Sequence, residues 1–123
     1  MSSQRSALPK PVRGDIFSAR LDPTEGSEQA GTRPVVVVSR DSINANSPVV
    51  VVVPVTDAAN VKRFYPSHTH IPMGSGGLKM DSIAKAEQIR AIHVSRLVAY
   101  YSRLDKETLE RLEEAIRITL ALR

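Results

Sequence analysis

The segment Val49-Val50-Val51-Val52-Val53-Pro54-Val55 is a run of seven residues without a polar side chain. Side chains branched at Cβ favour extended backbone, and an apolar run without alternation is typical of a strand buried on both faces. We therefore expect a strand over residues 49–55 at the centre of the fold. A second valine run predicts a neighbouring strand over residues 33–39, with Pro34 tolerated only near its start.

Shorter segments around this centre also have the composition of strands. They cover residues 12–19, 68–73, 79–84, 87–93 and 97–102, while residues 40–48 predict a turn or a single helical turn.

The last segment has the pattern of an amphipathic helix. Asp105 is the predicted N-cap, and Leu104 and Leu109 are placed to form a hydrophobic staple around it. The apolar stripe follows helical spacing through Leu109, Leu112, Ile116 and Leu120. Several short strands and one terminal helix predict an α+β, mainly β fold: a small, strongly curved β-barrel capped by the helix.

Length and composition limit the class of protein. A chain of 123 residues with 41% hydrophobic residues fits one globular domain, which we expect over residues 12–123 after a flexible tail at residues 1–11. No apolar run approaches the ~20 residues of a membrane span, and the N-terminus lacks the apolar core of a signal peptide. We therefore expect a cytoplasmic protein without membrane contact. Zero cysteines exclude disulfides, thiolate-bound zinc and thiol catalysis.

The positive charge is concentrated before the terminal helix. The chain has 17 Lys+Arg and 13 Asp+Glu, a net charge of +4. Residues 105–123 contain four bases and five acids (−1), which leaves thirteen bases and eight acids (+5) in residues 1–104. Such a surface favours a polyanionic partner, although many soluble proteins have a similar charge without binding nucleic acid.

Arg33 and Thr56 each stand where a predicted buried strand meets a polar loop. A guanidinium is well suited to grip a phosphate through its planar fork of donors. The structural alternatives are a weak surface ion pair for Arg33 and a turn-forming role for Thr56. The two loops, residues 20–32 and 56–66, are expected to flank one groove, in which Arg63, Phe64 and Tyr65 are available to stack on unpaired bases.

The histidines and the glycine-rich segment have simpler interpretations. His68 and His70 alternate along a predicted strand, which is half of a metal site or an acid–base pair for RNA cleavage. No cysteine completes such a metal site, His93 is distant in sequence, and nothing connects the pair with Arg33. Residues 74–77 lack the Gly-Lys-Ser/Thr ending of a P-loop and predict a turn.

An ordered set of short motifs resembles the PemK/MazF toxins of toxin–antitoxin systems from residue 12 to the end of the chain. The matching segments are Arg13-Gly14-Asp15-Ile16, Asp22-Pro23, Gly26-Ser27-Glu28-Gln29, Arg33-Pro34-Val35-Val36-Val37, Thr56, Asp81-Ser82 and Glu87-Gln88-Ile89-Arg90. Two departures stand outside the proposed site: the N-terminal extension has no family motif, and Ala91 replaces a threonine often found there.

The resemblance implies an SH3-like barrel, a homodimer and a metal-independent endoribonuclease without a cofactor that cleaves single-stranded RNA. In the family, the arginine and threonine that match Arg33 and Thr56 carry catalysis. The residues that match Ser27 and Gln29 help to hold RNA.

We extend the predicted RNA contacts to Arg13, Glu28 and Gln88 in the same motifs, in addition to Arg63, Phe64 and Tyr65. The resemblance also implies a cognate antitoxin that binds through an acidic, disordered segment. Two alternatives remain: a non-catalytic toxin of the same barrel that poisons DNA gyrase by binding, and a plain nucleic-acid-binding barrel.

Overall fold

The structure, a computed structural model, describes residues 8–21 and 31–123. Its strands and helices follow in the order β1 (Asp15–Arg20), β2 (Thr32–Val37), α1 (Asp41–Asn46), β3 (Val49–Asp57), β4 (His68–Ile71), β5 (Ser82–Lys85), β6 (Arg90–His93), β7 (Leu97–Arg103) and α2 (Lys106–Leu120). Short 3₁₀ turns lie at Ala58–Asn60, Ser75–Gly77, Ala86–Gln88 and Val94–Arg96. The predicted mainly β fold with a C-terminal helix is confirmed.

All seven strands form one antiparallel sheet with β3 at its centre. The strand order is β4-β5-β3-β2-β1-β7, and β6 also pairs with β3. One edge of β3 has two partners, because β6 pairs with its first half and β5 with its last three residues. Among the described strands, β4 and β7 end the sheet without pairing with each other, so this barrel-like sheet is not closed.

The two faces of β3 contribute to two separate cores. Val53 and Val55 belong to a first cluster with Leu112 of α2, whereas Val50 and Val52 belong to a second cluster. The predicted burial on both faces is confirmed for these four valines. It is wrong for Val49, which is exposed at the start of the strand, where its partner β6 ends.

The terminal helix closes the first cluster. Asp105 caps it as predicted, because its carboxylate accepts hydrogen bonds from the Thr108 amide (3.0 Å) and hydroxyl (2.7 Å). These bonds lower the pKa of the Asp105 carboxyl. Leu112 is fully buried in the cluster, but Leu120 is exposed, so the predicted apolar stripe does not remain in the core to the end of the helix.

β1 begins at Asp15, three residues later than predicted. Gly14 has a positive φ of 93°, and the buried Asp15 carboxylate accepts a hydrogen bond from the Val12 amide at 2.9 Å. The other oxygen of this carboxylate accepts from Nε of Arg103 at 2.9 Å. Residues 12–14 are therefore a turn that joins the start of β1 to the end of β7.

Strand pairing also moves other predicted boundaries. β3 continues through Thr56 to Asp57, because its last residues pair with Ser82 to Ala84 of β5. β5 begins at Ser82 and not at residue 79, β6 begins at Arg90 after a 3₁₀ turn, β4 ends at Ile71, and residues 41–46 form a short helix. Residues 74–77 form the expected turn, in which a side chain at Gly76 would collide with Ile16.

The segment before β1 lies on the protein where the structure describes it. Leu8 packs against the second cluster, and Nζ of Lys10 donates to the Ala45 carbonyl at 3.1 Å. At residues 8–11, the expected tail is thus in contact with the sheet and α1. No helix among the described residues has the length and apolarity needed to cross a membrane.

Candidate functional site

Arg33 lies near the start of β2 and Thr56 near the end of β3, just beyond the last residue pair of the β2–β3 ladder. In the β2–β3 ladder, Val35 stands opposite Pro54, Val36 opposite Val53 and Val37 opposite Val52. The pairing of β2 with β3 ends at Val35, and the last residues of β3 pair with β5, where Thr56 stands opposite Ile83. Arg33 is two residues before Val35 and Thr56 is two residues after Pro54, so both lie at the end of the sheet where this ladder stops.

Both residues line one cavity of about 490 Å³ at the end of the sheet. The strand ends, the 3₁₀ turn after β3, the segment before β5 and one residue of β7 form its wall: Thr32, Arg33, Pro34, Val55, Thr56, Asp57, Asn60, Gly77, Leu78, Lys79, Met80, Ser82 and Tyr101. The two residues that the sequence singles out from separate loops therefore share one pocket.

The polar groups of this cavity have distinct chemistry. Thr56 is only 8% exposed, and Arg33 is half-buried and engaged with other groups of the protein. Lys79 adds a second cation, whereas Asp57 is the one carboxylate among the described residues of the wall. One Asp57 oxygen accepts a hydrogen bond from the Ala59 amide at 2.9 Å. The cavity thus combines cations, a hydroxyl and a carboxylate held by a backbone donor.

Asp57, Asn60, Lys79, Ser82 and Tyr101 do not appear among the residues predicted from sequence to form the site. They come from four separate segments, and only the folded sheet brings them to Arg33. Gly77 approaches the backbone of Tyr101 so closely that a Cβ atom would lie 3.4 Å from its carbonyl carbon. The glycine turn therefore allows β7 to reach the cavity, which is a role that its sequence alone does not reveal.

Residues 61–67, which we call the aromatic loop, connect the turn Ala58–Asn60 to β4 and expose their aromatic rings. Phe64 is 59% exposed and Tyr65 is 49% exposed. Each ring contacts His68 edge to face, with centroid distances of 5.6 and 5.4 Å. Arg63 is exposed beside them, and Gln88 is half-buried in the turn Ala86–Gln88 that packs against this loop.

His68 connects this loop with that turn. Its Nδ1 accepts a hydrogen bond from the Tyr65 amide at 3.2 Å, and its Nε2 lies 3.3 Å from a Glu87 oxygen. Burial raises the pKa of the Glu87 carboxyl, but hydrogen bonds from Ser67 and the backbone, together with His68, outweigh that effect. The pKa of Glu87 therefore lies below its ordinary value.

The three histidines do not act as one group. His70 is exposed and lies 3.7 Å from Asp81, and His93 is bound by Ser95. Within residues 8–21 and 31–123, no three side chains of the metal-binding types are grouped closely enough to hold an ion. His68 is committed to Tyr65 and Glu87, so the alternation of His68 and His70 reflects two separate environments.

Arg13 lies outside the Arg33 cavity. Its guanidinium pairs with Glu113 of α2 at 2.8 Å, and it lines a second cavity of about 490 Å³ beside Ile43, Ile116 and Leu122. Ser27, Glu28 and Gln29 lie outside the described residues. Of the predicted RNA contacts, the structure therefore groups the aromatic loop with Gln88 and separates Arg13 from the Arg33 cavity.

Comparison with known proteins gives a family match along almost the whole chain. Residues 12–120 match the family described as PemK-like, MazF-like toxin of type II toxin–antitoxin system. The chain is 41% identical over 110 residues to the endoribonuclease EndoA of Bacillus subtilis, covering 89% of this chain and 94% of that protein. It is 38% identical over 110 residues to the endoribonuclease MazF of Staphylococcus epidermidis, covering 89% and 91%.

Solved structures support the same fold. MazF from Deinococcus radiodurans superposes with a TM-score of 0.77 at 22% identity, covering 93% of this chain and 99% of that one. An endoribonuclease from Mycobacterial species, solved in complex with its cognate antitoxin, has a TM-score of 0.73 at 20% identity, covering 94% and 98%. At such low identity, these likenesses establish the fold, and the predicted barrel class is confirmed by them.

Proposed function

The chain belongs to the PemK-like, MazF-like toxins of type II toxin–antitoxin systems, and from this membership we propose that it is a metal-independent endoribonuclease of single-stranded RNA. The observation that carries the proposal is the presence of Arg33 and Thr56 in the wall of one cavity. A non-catalytic gyrase poison would have no need of this pair in a pocket. Its place of action is then the cytoplasm, where messenger RNA is translated.

The proposed reaction uses the nucleophile that RNA itself contains. The 2′-oxygen forms a bond to phosphorus while the bond from phosphorus to the 5′-oxygen breaks, giving a 2′,3′-cyclic phosphate and a 5′-hydroxyl end. Arg33 stabilises the negative charge on the non-bridging oxygens, because its forked donors match a phosphate. Thr56 donates a hydrogen bond to the same phosphate, or orients the 2′-hydroxyl.

Three proton transfers complete the reaction and restore both side chains to their starting states. Asp57 accepts the proton of the 2′-hydroxyl, since it is the carboxylate in the described wall of the cavity. Arg33 is unsuited to that role because a guanidinium is effectively always protonated. The departing 5′-oxygen is basic enough to take a proton from Arg33, and Asp57 then returns the first proton to the guanidinium.

We further propose a homodimer built on the exposed end of α2. Leu122 is 59% exposed, and Ile118, Leu120 and Ile43 of α1 are exposed as well. Ile43 and Leu122 line the second cavity, where Arg13, Arg40, Arg117 and Arg123 accompany Glu113. A two-fold interface brings the same surface together twice, so the patch must complement itself, which apolar side chains and charges of both signs on one patch allow. This patch meets that requirement.

The expected antitoxin is an acidic segment that folds on contact. Arg33 and Lys79 line the cavity, and residues 1–104 have a net charge of +5, so an acidic chain and RNA would compete for one surface. Inhibition would then be relieved by excess RNA or by loss of the antitoxin.

The test is incubation of the purified protein with a long single-stranded transcript in excess EDTA, followed by analysis of the fragment ends. We expect cleavage to 5′-hydroxyl and cyclic phosphate ends, and no cleavage of the matching DNA, which lacks the 2′-hydroxyl. A requirement for added divalent ion, or ends with 5′-phosphate, would refute the mechanism. Intact RNA together with inhibition of DNA gyrase would favour the binding toxin.

A further inference from the structure

The aromatic loop before β4 exposes two adjacent rings on a defined support. Phe64 and Tyr65 are both exposed, and their rings meet the same imidazole, that of His68. Scattered exposed apolar side chains are common, but adjacent aromatic rings that share one buried support form a contact surface. Lys62 and Arg63 are exposed next to these rings and add positive charge.

His68 is used at both ring nitrogens, and its side chain is only 3% exposed. The Tyr65 amide donates to Nδ1 at 3.2 Å, so the ring hydrogen is on Nε2, which points to Glu87 at 3.3 Å. The backbone forms a turn from Tyr65 to His68, in which the His68 amide donates to the Tyr65 carbonyl at 2.9 Å.

The other side of the support is the turn Ala86–Gln88. The Ala86 amide donates to the Ser67 carbonyl at 2.9 Å, and the Ser67 side chain is hydrogen-bonded to Glu87. Glu87 therefore holds both Ser67 and His68, at the base of the loop. Gln88 follows directly, so the loop and the predicted RNA contact in this turn are fixed relative to each other.

We propose that His68 and Glu87 are positioning residues for RNA recognition: they hold Phe64 and Tyr65 as a stacking platform for unpaired bases beside Gln88. The inference rests on the nuclease function proposed above and assigns the pair to substrate affinity, with no part in the chemical step. Binding to a loop that is already ordered avoids the entropic cost of ordering it, which is the physical reason why two residues that support the rings can affect RNA binding. Lys62 and Arg63 attract phosphates from any direction. Stacking on bases, in contrast, requires that the rings of Phe64 and Tyr65 have a fixed orientation.

The experiment compares His68→Ala with His70→Ala in cleavage and binding of a single-stranded oligonucleotide. His70 is the matched control, because it lies on the same strand but is exposed and contacts Asp81. For His68→Ala, we expect KM and the RNA dissociation constant to rise about tenfold, on the scale of one lost base–aromatic stack, with kcat changed less than about twofold. For His70→Ala, all three quantities should remain at the wild-type level.

Conservative variants keep the test informative if His68→Ala unfolds. His68→Asn can still accept from the Tyr65 amide, and His68→Gln can still donate to Glu87, so each should restore part of the affinity. The Phe64→Ala/Tyr65→Ala variant lacks the rings that His68 is proposed to hold. Adding His68→Gln to this variant should therefore leave its KM unchanged.

The outcomes separate this inference from the proposed function. A wild-type protein that leaves RNA intact would refute the nuclease and the inference together. If the wild type cleaves RNA, an unchanged KM in His68→Ala would refute the inference alone. The same holds if His68→Gln raises KM by the same factor in the Phe64→Ala/Tyr65→Ala variant as in the wild type. A fall in kcat with unchanged KM would do the same, because it would place His68 in the chemical step.

Discussion

Replacement of Thr56 by valine separates the chemistry of the site from the stability of the strand. Thr56 is 8% exposed near the end of β3, in the same cavity wall as Arg33, and Val55 and Pro34 in that wall are apolar. Valine has the same branched shape but no hydroxyl, so the strand should fold with a stability change below about 1 kcal/mol. Loss of one transition-state hydrogen bond should lower kcat/KM roughly ten- to thousandfold.

Thr56→Ser is the matched opposite change. It keeps the hydroxyl and removes a buried methyl group, which should lower the free energy of unfolding by about 1 kcal/mol and the melting temperature by a few degrees. Cleavage of a fluorogenic RNA and thermal unfolding followed by circular dichroism measure both quantities on the same samples. Full activity in a folded Thr56→Val, or equal losses of activity in both variants, would refute the role assigned to the hydroxyl.

Three further predictions address the rest of the site and the dimer. Arg33→Ala should abolish cleavage with an unchanged far-ultraviolet circular dichroism spectrum, and Arg33→Lys should remain badly impaired because the bidentate fork is lost; wild-type rates in the lysine variant would contradict this. Asp57→Asn still accepts the Ala59 hydrogen bond but cannot take a proton, so we expect a loss on the order of 100-fold or more in kcat, and an unchanged rate would remove Asp57 as the acceptor. Leu122→Asp should give a monomer by light scattering at micromolar concentration, whereas Met73→Asp, at another exposed apolar position, should leave the dimer intact; a dimeric Leu122→Asp would place the interface elsewhere.

The sequence locates Arg33 and Thr56 at strand ends, but their alignment depends on a register that composition does not reveal. Residues 38–48 separate β2 from β3, and side chains in this connection determine the pairing. The Val51 backbone amide donates to the Ser39 hydroxyl at 3.0 Å, and the side-chain Nδ2 of Asn44 donates to the Ser39 carbonyl at 2.8 Å. Residues 38–48, a polar segment that the sequence predicts to be a turn, thus determine how the two valine strands pair. The valine runs themselves do not, because every register would pair apolar side chains.

The environments of Asp57 and His68 depend on partners that are distant in sequence. The apolar run ends at Val55, so the predicted strand ends there, and the pairing of Asp57 with Ser82 is visible only in the sheet. Alternation makes His68 and His70 equivalent in sequence, but Glu87, nineteen positions after His68, supplies a partner to His68 alone. Burial at one position and exposure at the other follow from long-range pairing, which local patterns do not contain.

The order of elements after β3 places the wall of the cavity and the aromatic loop on one short segment. Thr56 and Asp57 end the strand inside the cavity, the turn Ala58–Asn60 adds Asn60 to its wall, and the aromatic loop begins directly afterwards. A shift of β3 by one residue would reverse the face of every side chain in it, so the cavity and the start of the loop depend on the same register. The central strand holds Thr56 and Asp57 in the wall of the cavity, whereas the loop needs its own support because it leaves the sheet. His68 and Glu87 provide that support where the chain returns to the sheet as β4, so the residues proposed to bind RNA and those proposed to react with it depend on separate supports.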